Sequence, residues 1–142
     1  MGLFIQRNGV VSHANFTADE TDIFCGTVFH GELLKDGSYI VFDLIAARGY
    51  SYTSQPLPIR LSAARDAVAK LSSNVASSVI KVKEFFDKHD SRHLFDMFGD
   101  GSLLNSHVGG LILAPSAPGV GVGRLITYYK YKEANQITVD LK

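Results

Sequence analysis

A single cysteine, Cys25, excludes an internal disulfide and a cysteine-based zinc site, and it fits a reducing compartment where a lone thiol persists. Net charge is absent as well, because fourteen Lys and Arg residues balance fourteen Asp and Glu. Any nucleotide or nucleic-acid contact must therefore come from a local cluster, since no global field draws a polyanion to the chain. No stretch approaches the roughly 20 apolar residues of a membrane-spanning helix. Met1 to Arg7 lack the basic and apolar blocks of a secretory leader, so an intracellular site (cytoplasm, nucleus or virion) is expected and Asn15-Phe16-Thr17 reads as a chance glycan sequence. His13, His30, His89, His93 and His107 have no metal-ligand spacing. Gly119, Gly121 and Gly123 do not open a helix, which rules out a dinucleotide-binding turn. There is no internal repeat and no low-complexity tail.

What remains is an ordinary globular composition, 46% apolar and 20% charged over 142 residues, enough to bury a core as one domain spanning residues 1–142. Leu3 to Gln6, the Asn8-Gly9 turn and Val10-Val11 predict a first hairpin. A second runs from Thr27 to Leu34, turns at Lys35-Asp36-Gly37-Ser38, and returns over Tyr39 to Ile45, with Asp-Gly supplying the positive φ that tight turns require. Leu57, Leu61, Ala64, Val68 and Leu71 recur at three- and four-residue spacing, which predicts an amphipathic helix closed by Ser72-Ser73-Asn74. Further on, Val79 to Lys83 reads as a strand, Ser91 to Phe98 as a helix and Leu111 to Leu113 as a strand. Ala114 to Gly123 is a Pro- and Gly-rich loop, and Leu125 to Lys132 with Gln136 to Leu141 reads as a closing hairpin. The pattern is α+β, a largely antiparallel sheet with helices outside it.

Four stretches then follow one another in a familiar order: Phe29-His30-Gly31-Glu32-Leu33, Tyr39-Ile40-Val41-Phe42-Asp43-Leu44, Gly109-Gly110-Leu111-Ile112-Leu113 and Lys130-Tyr131-Lys132. This order resembles the third, following, fourth and fifth motifs of the covalent nucleotidyltransferases, the ATP-grasp-like domain shared by nucleic-acid ligases and mRNA capping enzymes. Ile5-Gln6-Arg7, Lys83-Glu84 and Gly123-Arg124 fit the linking positions, and Gly-Leu-Ile, Gly-Arg and Thr138-Val139-Asp140 favour the capping guanylyltransferases.

The resemblance implies GTP as nucleotide, Mg2+ or Mn2+ as its metal, and an RNA 5′-diphosphate as acceptor, joined through a lysyl-GMP intermediate. It assigns Phe42 to the purine base, Arg7 and Glu32 to the ribose and its surroundings, and Lys83, Lys130 and Lys132 to the nucleotide. Lys130 and Lys132 lie two apart, which puts both ammonium groups on one strand face and suits a phosphate clamp. By pattern alone, Phe42 also reads as core, Glu32 as a solvent-facing strand residue, Arg7 as a turn-flanking charge and the two lysines as edge-strand protection.

The sequence departs from the family in three places. It contains no Lys-x-Asp-Gly, so the nucleophilic lysine is absent; Lys35-Asp36-Gly37 is a hairpin tip. Gly109 replaces the metal-organising acid, and His30 replaces the aspartate of the third motif. An OB-fold lid after Lys142 is not expected. A partial domain is thus expected: a fragment, one chain of a split enzyme whose partner carries Lys-x-Asp-Gly, or a degenerate nucleotide- or RNA-binding copy. The alternative is a catalytically inert assembly module that keeps the fold. In each case the N-terminal strands should leave an apolar surface for a partner or a second copy. Incubation with labelled GTP and Mg2+ or Mn2+ should leave no acid-labile label on the isolated chain; a lysyl adduct recovered by mass spectrometry would overturn this assignment.

Overall fold

The computed structural model describes residues 2–73, 78–90, 92, 96, 111–116 and 129–131. The chain divides into two units, Met1–Lys83 with Ser116–Val122, and Glu84–Pro115 with Gly123–Lys142. In chain order the first unit holds β1 (Gly2–Ile5), β2 (Val11–Ala14), β3 (Phe16–Ala18), a 3-10 turn (Thr21–Phe24), β4 (Val28–Leu33), β5 (Tyr39–Ala47), β6 (Tyr50–Ser51), α1 (Leu57–Val68), β7 (Leu71–Ser73) and β8 (Ile80–Val82). The second contains a 3-10 turn (Lys88–Asp90), β9 (Leu111–Leu113) and β10 (Tyr129–Tyr131), the two strands pairing antiparallel. The class is α+β, with mostly antiparallel strands and one helix among the elements described.

The second hairpin forms as its turn chemistry predicts. Gly37 takes φ 85°, and the Asp36 carboxylate accepts the Ser38 N–H at 2.9 Å, a bond that holds the Asp36 carboxyl below its usual pKa. The same tip then anchors a third strand. Ser78 Oγ donates to the Asp36 carbonyl at 2.6 Å and Val79 N–H donates to Ser38 Oγ at 3.0 Å, which starts β8 beside β5. The two run parallel, a pairing that requires a long crossover connection such as the one through α1, with Tyr39 opposite Ile80 and Val41 opposite Val82. β4 and β6 pair antiparallel with β5, so β5 is the spine of a four-stranded sheet.

A bulge in β5 decides what each of its faces carries. His30 pairs with Asp43 and Gly31 with Val41, which leaves Phe42 as the extra residue. Strict alternation would send Val41 and Leu44 to opposite faces; with the bulge both enter the core and pack against Ala64 of α1, all three at 0% exposure. Phe29, Ile80 and Val82 close around them.

α1 buries Leu57, Arg60, Leu61, Ala64 and Ala67. Its first turn follows from Pro56 and Pro58, which favour helix initiation, and the Leu57 N–H is satisfied by the Ser116 carbonyl at 2.8 Å. The helix ends at Val68, short of the expected Leu71. Leu71-Ser72-Ser73 leaves the helix because it pairs with Phe16-Thr17-Ala18, a strand that the local pattern around Asn15 did not signal. Long-range pairing outcompetes the weak helix preference of two serines. The helix expected over Ser91 to Phe98 lies largely outside the described residues, although Arg92 and Asp96 are helical. In the closing hairpin only Tyr129–Tyr131 is described, paired with Leu111–Leu113; residues 132–142 lie outside.

The N-terminal hairpin forms around Gly9 at φ 83°. Phe4 turns inward onto Phe16 and Tyr39, with ring centroids at 5.9 and 5.1 Å, while Leu3 and Ile5 on the other face stay 53% and 74% exposed. Leu3 and Ile5 thus form an exposed apolar face of this hairpin.

A buried charge sits among these apolar contacts. Arg60 Nε and Nη2 donate to the two Asp43 carboxylate oxygens at 2.7 and 2.9 Å, and Nη1 donates to the Gln55 carbonyl at 2.6 Å. Asp43 Oδ1 also accepts the Leu44 N–H at 2.8 Å. Removing one partner strands the other in the core, so Arg60→Ala or Asp43→Ala should each cost about 3–5 kcal/mol. Paired replacement by Leu and Met should cost less than either single change. Urea denaturation followed by circular dichroism would show the order.

Candidate functional site

Phe42, next to Val41 on the strand, faces the opposite side, where it stands half-buried and outside the core cluster. Its ring meets His30 edge-on at 5.9 Å and 76°, and the Lys83 ammonium lies 4.9 Å from its centroid. Lys83 reaches it because its N–H donates to the Val41 carbonyl at 2.7 Å, extending β8 alongside β5. One row further along the same face, Glu32, Ile40 and Lys81 stand opposite one another across three strands. Glu32 is exposed and makes no ion pair among the described residues.

Chemically, this is an aromatic platform with a cation over it, worth about 0.5–1 kcal/mol at an exposed site, flanked by a free carboxylate and a second lysine. The structure therefore assembles Glu32, Phe42 and Lys83, and adds His30 and Lys81, which the motif order had not singled out as a group. Lys81 was accessible from spacing alone, since it lies two residues before Lys83 on a strand. His30 lies two residues before Glu32 on the same strand, so alternation puts both on one face, and the structure brings the His30 ring edge-on to Phe42. The reading of Phe42 as plain core is corrected by its place outside the Val41, Leu44 and Ala64 cluster and the side chains packed on it.

Arg7 is exposed in the β1–β2 turn and has no contact with Glu32, Phe42 or Lys83 among the described residues. Lys130 lies in β10 of the second unit, while Lys132 and Gly109 lie outside the described residues. Lys35-Asp36-Gly37 forms the β4–β5 turn.

A divalent ion does not fit what is described here. No group of three His, Cys, Asp or Glu side chains converges among the described residues. On the Phe42 face Glu32 is the one carboxylate, and Asp43 is committed to Arg60. No family model matches the chain, and no curated protein matches it.

Gly31, central to the third-motif resemblance, has a local structural reason to be glycine. A Cβ there would collide with the Ile40 carbonyl oxygen and stand 2.9 Å from Tyr39 Cζ. The backbone carbonyl cannot rotate away without breaking the β4–β5 ladder. Gly31→Ala should therefore cost about 1–3 kcal/mol through overpacking, measured by thermal and urea denaturation. A neutral substitution would show that the hairpin accommodates a methyl group there.

Proposed function

We propose that the chain binds a purine nucleotide, free or as the 5′ end of an RNA, on the face of the β4–β5–β8 sheet that carries Phe42. The observation that carries this reading is the Lys83 ammonium held 4.9 Å from the Phe42 ring, with Glu32 unpaired among the described residues on the same face. Stacking of a base on an aromatic ring contributes about 1–3 kcal/mol. Lys81 and Lys83 supply charge for a phosphate, and the Glu32 carboxylate is an acceptor for ribose hydroxyls. The order of motifs that resembles the guanylyltransferases supports GTP as the nucleotide. The same sequence lacks the Lys-x-Asp-Gly nucleophile, so the activity proposed for this chain is binding, without nucleotide transfer.

A second reading, an assembly module that retains the fold, is favoured by the exposed Leu3 and Ile5 face of the first hairpin. Titration with GTP followed by amide NMR separates the two. On the binding reading, shifts should cluster at His30, Glu32, Phe42, Lys81 and Lys83, with affinity of about 1 mM. Phe42→Ala should weaken binding about tenfold or more, and Lys83→Ala by a smaller factor. Shifts absent from this face, or indifferent to both substitutions, would leave the assembly reading, which predicts concentration-dependent association abolished by Ile5→Lys.

A further inference from the structure

The first unit has a pocket of about 370 Å³ that shares no residue with the Phe42 face. It forms where the β5–β6 turn meets α1 and the 3-10 turn Thr21–Phe24. Ile23, Ala47, Ala63 and Ala67 give it an apolar floor, and Tyr50 and Tyr52 supply aromatic walls. Tyr50 is 76% exposed, so its ring is open to solvent at the rim of the pocket.

The charges around this pocket are not evenly matched. Arg48 Nη2 and Lys70 Nζ both lie 2.7 Å from the same Glu20 oxygen, and Arg48 Nε lies 3.1 Å from Asp22 Oδ2. The Lys70 hydrogen bond, with both positive charges, holds the Glu20 carboxyl below its usual pKa. Arg48 and Lys70 both line the pocket, and the carboxylates that answer them, Glu20 and Asp22, stand outside its lining. Asp66, which also lines the pocket, is a further negative charge. Its natural partner is Lys70, four residues on along the helix direction, but Lys70 turns to Glu20 instead. Asp66 is left with no ion pair among the described residues.

The backbone keeps this arrangement in place. Arg48 occupies the left-handed region at φ 50°, unusual for a residue with a side chain, and its N–H donates to Thr27 Oγ1 at 3.1 Å. Gly49 N–H donates to the Gly26 carbonyl at 3.1 Å, and a Cβ on Gly26 would stand 3.0 Å from Gly49 Cα. Two chain segments therefore meet closely, and the turn that carries Arg48 and Tyr50 is aimed at the 3-10 turn rather than splayed from it. The guanidinium is spent on Glu20 and Asp22, which leaves it little capacity to recruit an anion.

We propose that this pocket binds a small organic ammonium, an amine carrying an apolar or aromatic body. The ammonium pairs with Asp66 against the faces of Tyr50 and Tyr52, and the body lies on the alanine and isoleucine floor. The volume is at the lower end for ligand pockets and suits a molecule of one ring with a short amine tail.

Phenethylammonium, with phenylacetate as its charge-reversed counterpart, tests this on the full chain by amide NMR and by tyrosine fluorescence, which no tryptophan obscures. Phenethylammonium should shift Tyr50, Tyr52, Ala63 and Asp66, and phenylacetate should bind the same residues about tenfold more weakly or not at all. Asp66→Asn and Tyr50→Ala, both at exposed positions, should each weaken the amine by about five- to tenfold. An unchanged denaturation midpoint would show that each variant still folds. Equal or tighter binding of phenylacetate, indifference to Asp66→Asn, or no shift at millimolar amine would overturn the proposal. None of these results depends on whether GTP binds the Phe42 face.

Discussion

The paired hydrogen bonds between Arg60 and Asp43 join the helix to the strand on which the four-stranded sheet is built. Arg60 is 2% exposed, and a guanidinium so placed needs its donors satisfied. Two go to Asp43 and one to the Gln55 carbonyl just ahead of the helix, so a single side chain ties strand, loop and helix together. Replacing the pair with apolar residues need not weaken the fold, whereas removing one partner alone leaves a buried charge unpaired. The pair ties α1 to β5 in one register, alongside the packing of Leu61 and Ala64.

That register matters because β5 serves two faces with different chemistry. Its bulge lets Val41 and Leu44 both enter the core under the helix, while Phe42, next to Val41, faces the other side. The site on that side is assembled from three strands. β4 brings His30 and Glu32, β5 brings Phe42, and β8 brings Lys81 and Lys83, the last delivered by the crossover through α1. An error in the docking of α1 would misplace the lysines relative to the ring without disturbing the β4–β5 hairpin itself.

The first hairpin distributes its residues differently. Phe4 is committed to Phe16 and Tyr39, and burial raises the Tyr39 phenol above its ordinary pKa. Leu3 and Ile5 contribute nothing to the core that Phe4 reaches. The face they form is apolar by sequence and exposed by tertiary placement, a combination that is costly in water and is ordinarily relieved by association.

Much of the local structure was legible from the sequence because its causes are local. Asp36-Gly37 sets the second hairpin, Asn8-Gly9 the first, and the spacing of Leu57, Leu61 and Ala64 sets the buried face of the helix. Glu32, Phe42 and Lys83 could be singled out through the order of motifs, and the structure brings those three together while leaving Arg7 apart. Other features depend on residues distant in sequence. The strand Leu71–Ser73 exists because Phe16–Ala18 is there to pair with it, and the helix stops early for the same reason. Arg60 falls on the same helical face as Leu57, Ala64 and Ala67, but its partner Asp43, seventeen residues earlier, is found only in the folded core. Local turns and periodicities follow from short-range sterics and hydrogen bonding, which the chain carries in its own order. Buried ion pairs, bulge-directed side chains and strand partners follow from desolvation and long-range hydrogen bonding, and only the tertiary structure decides those.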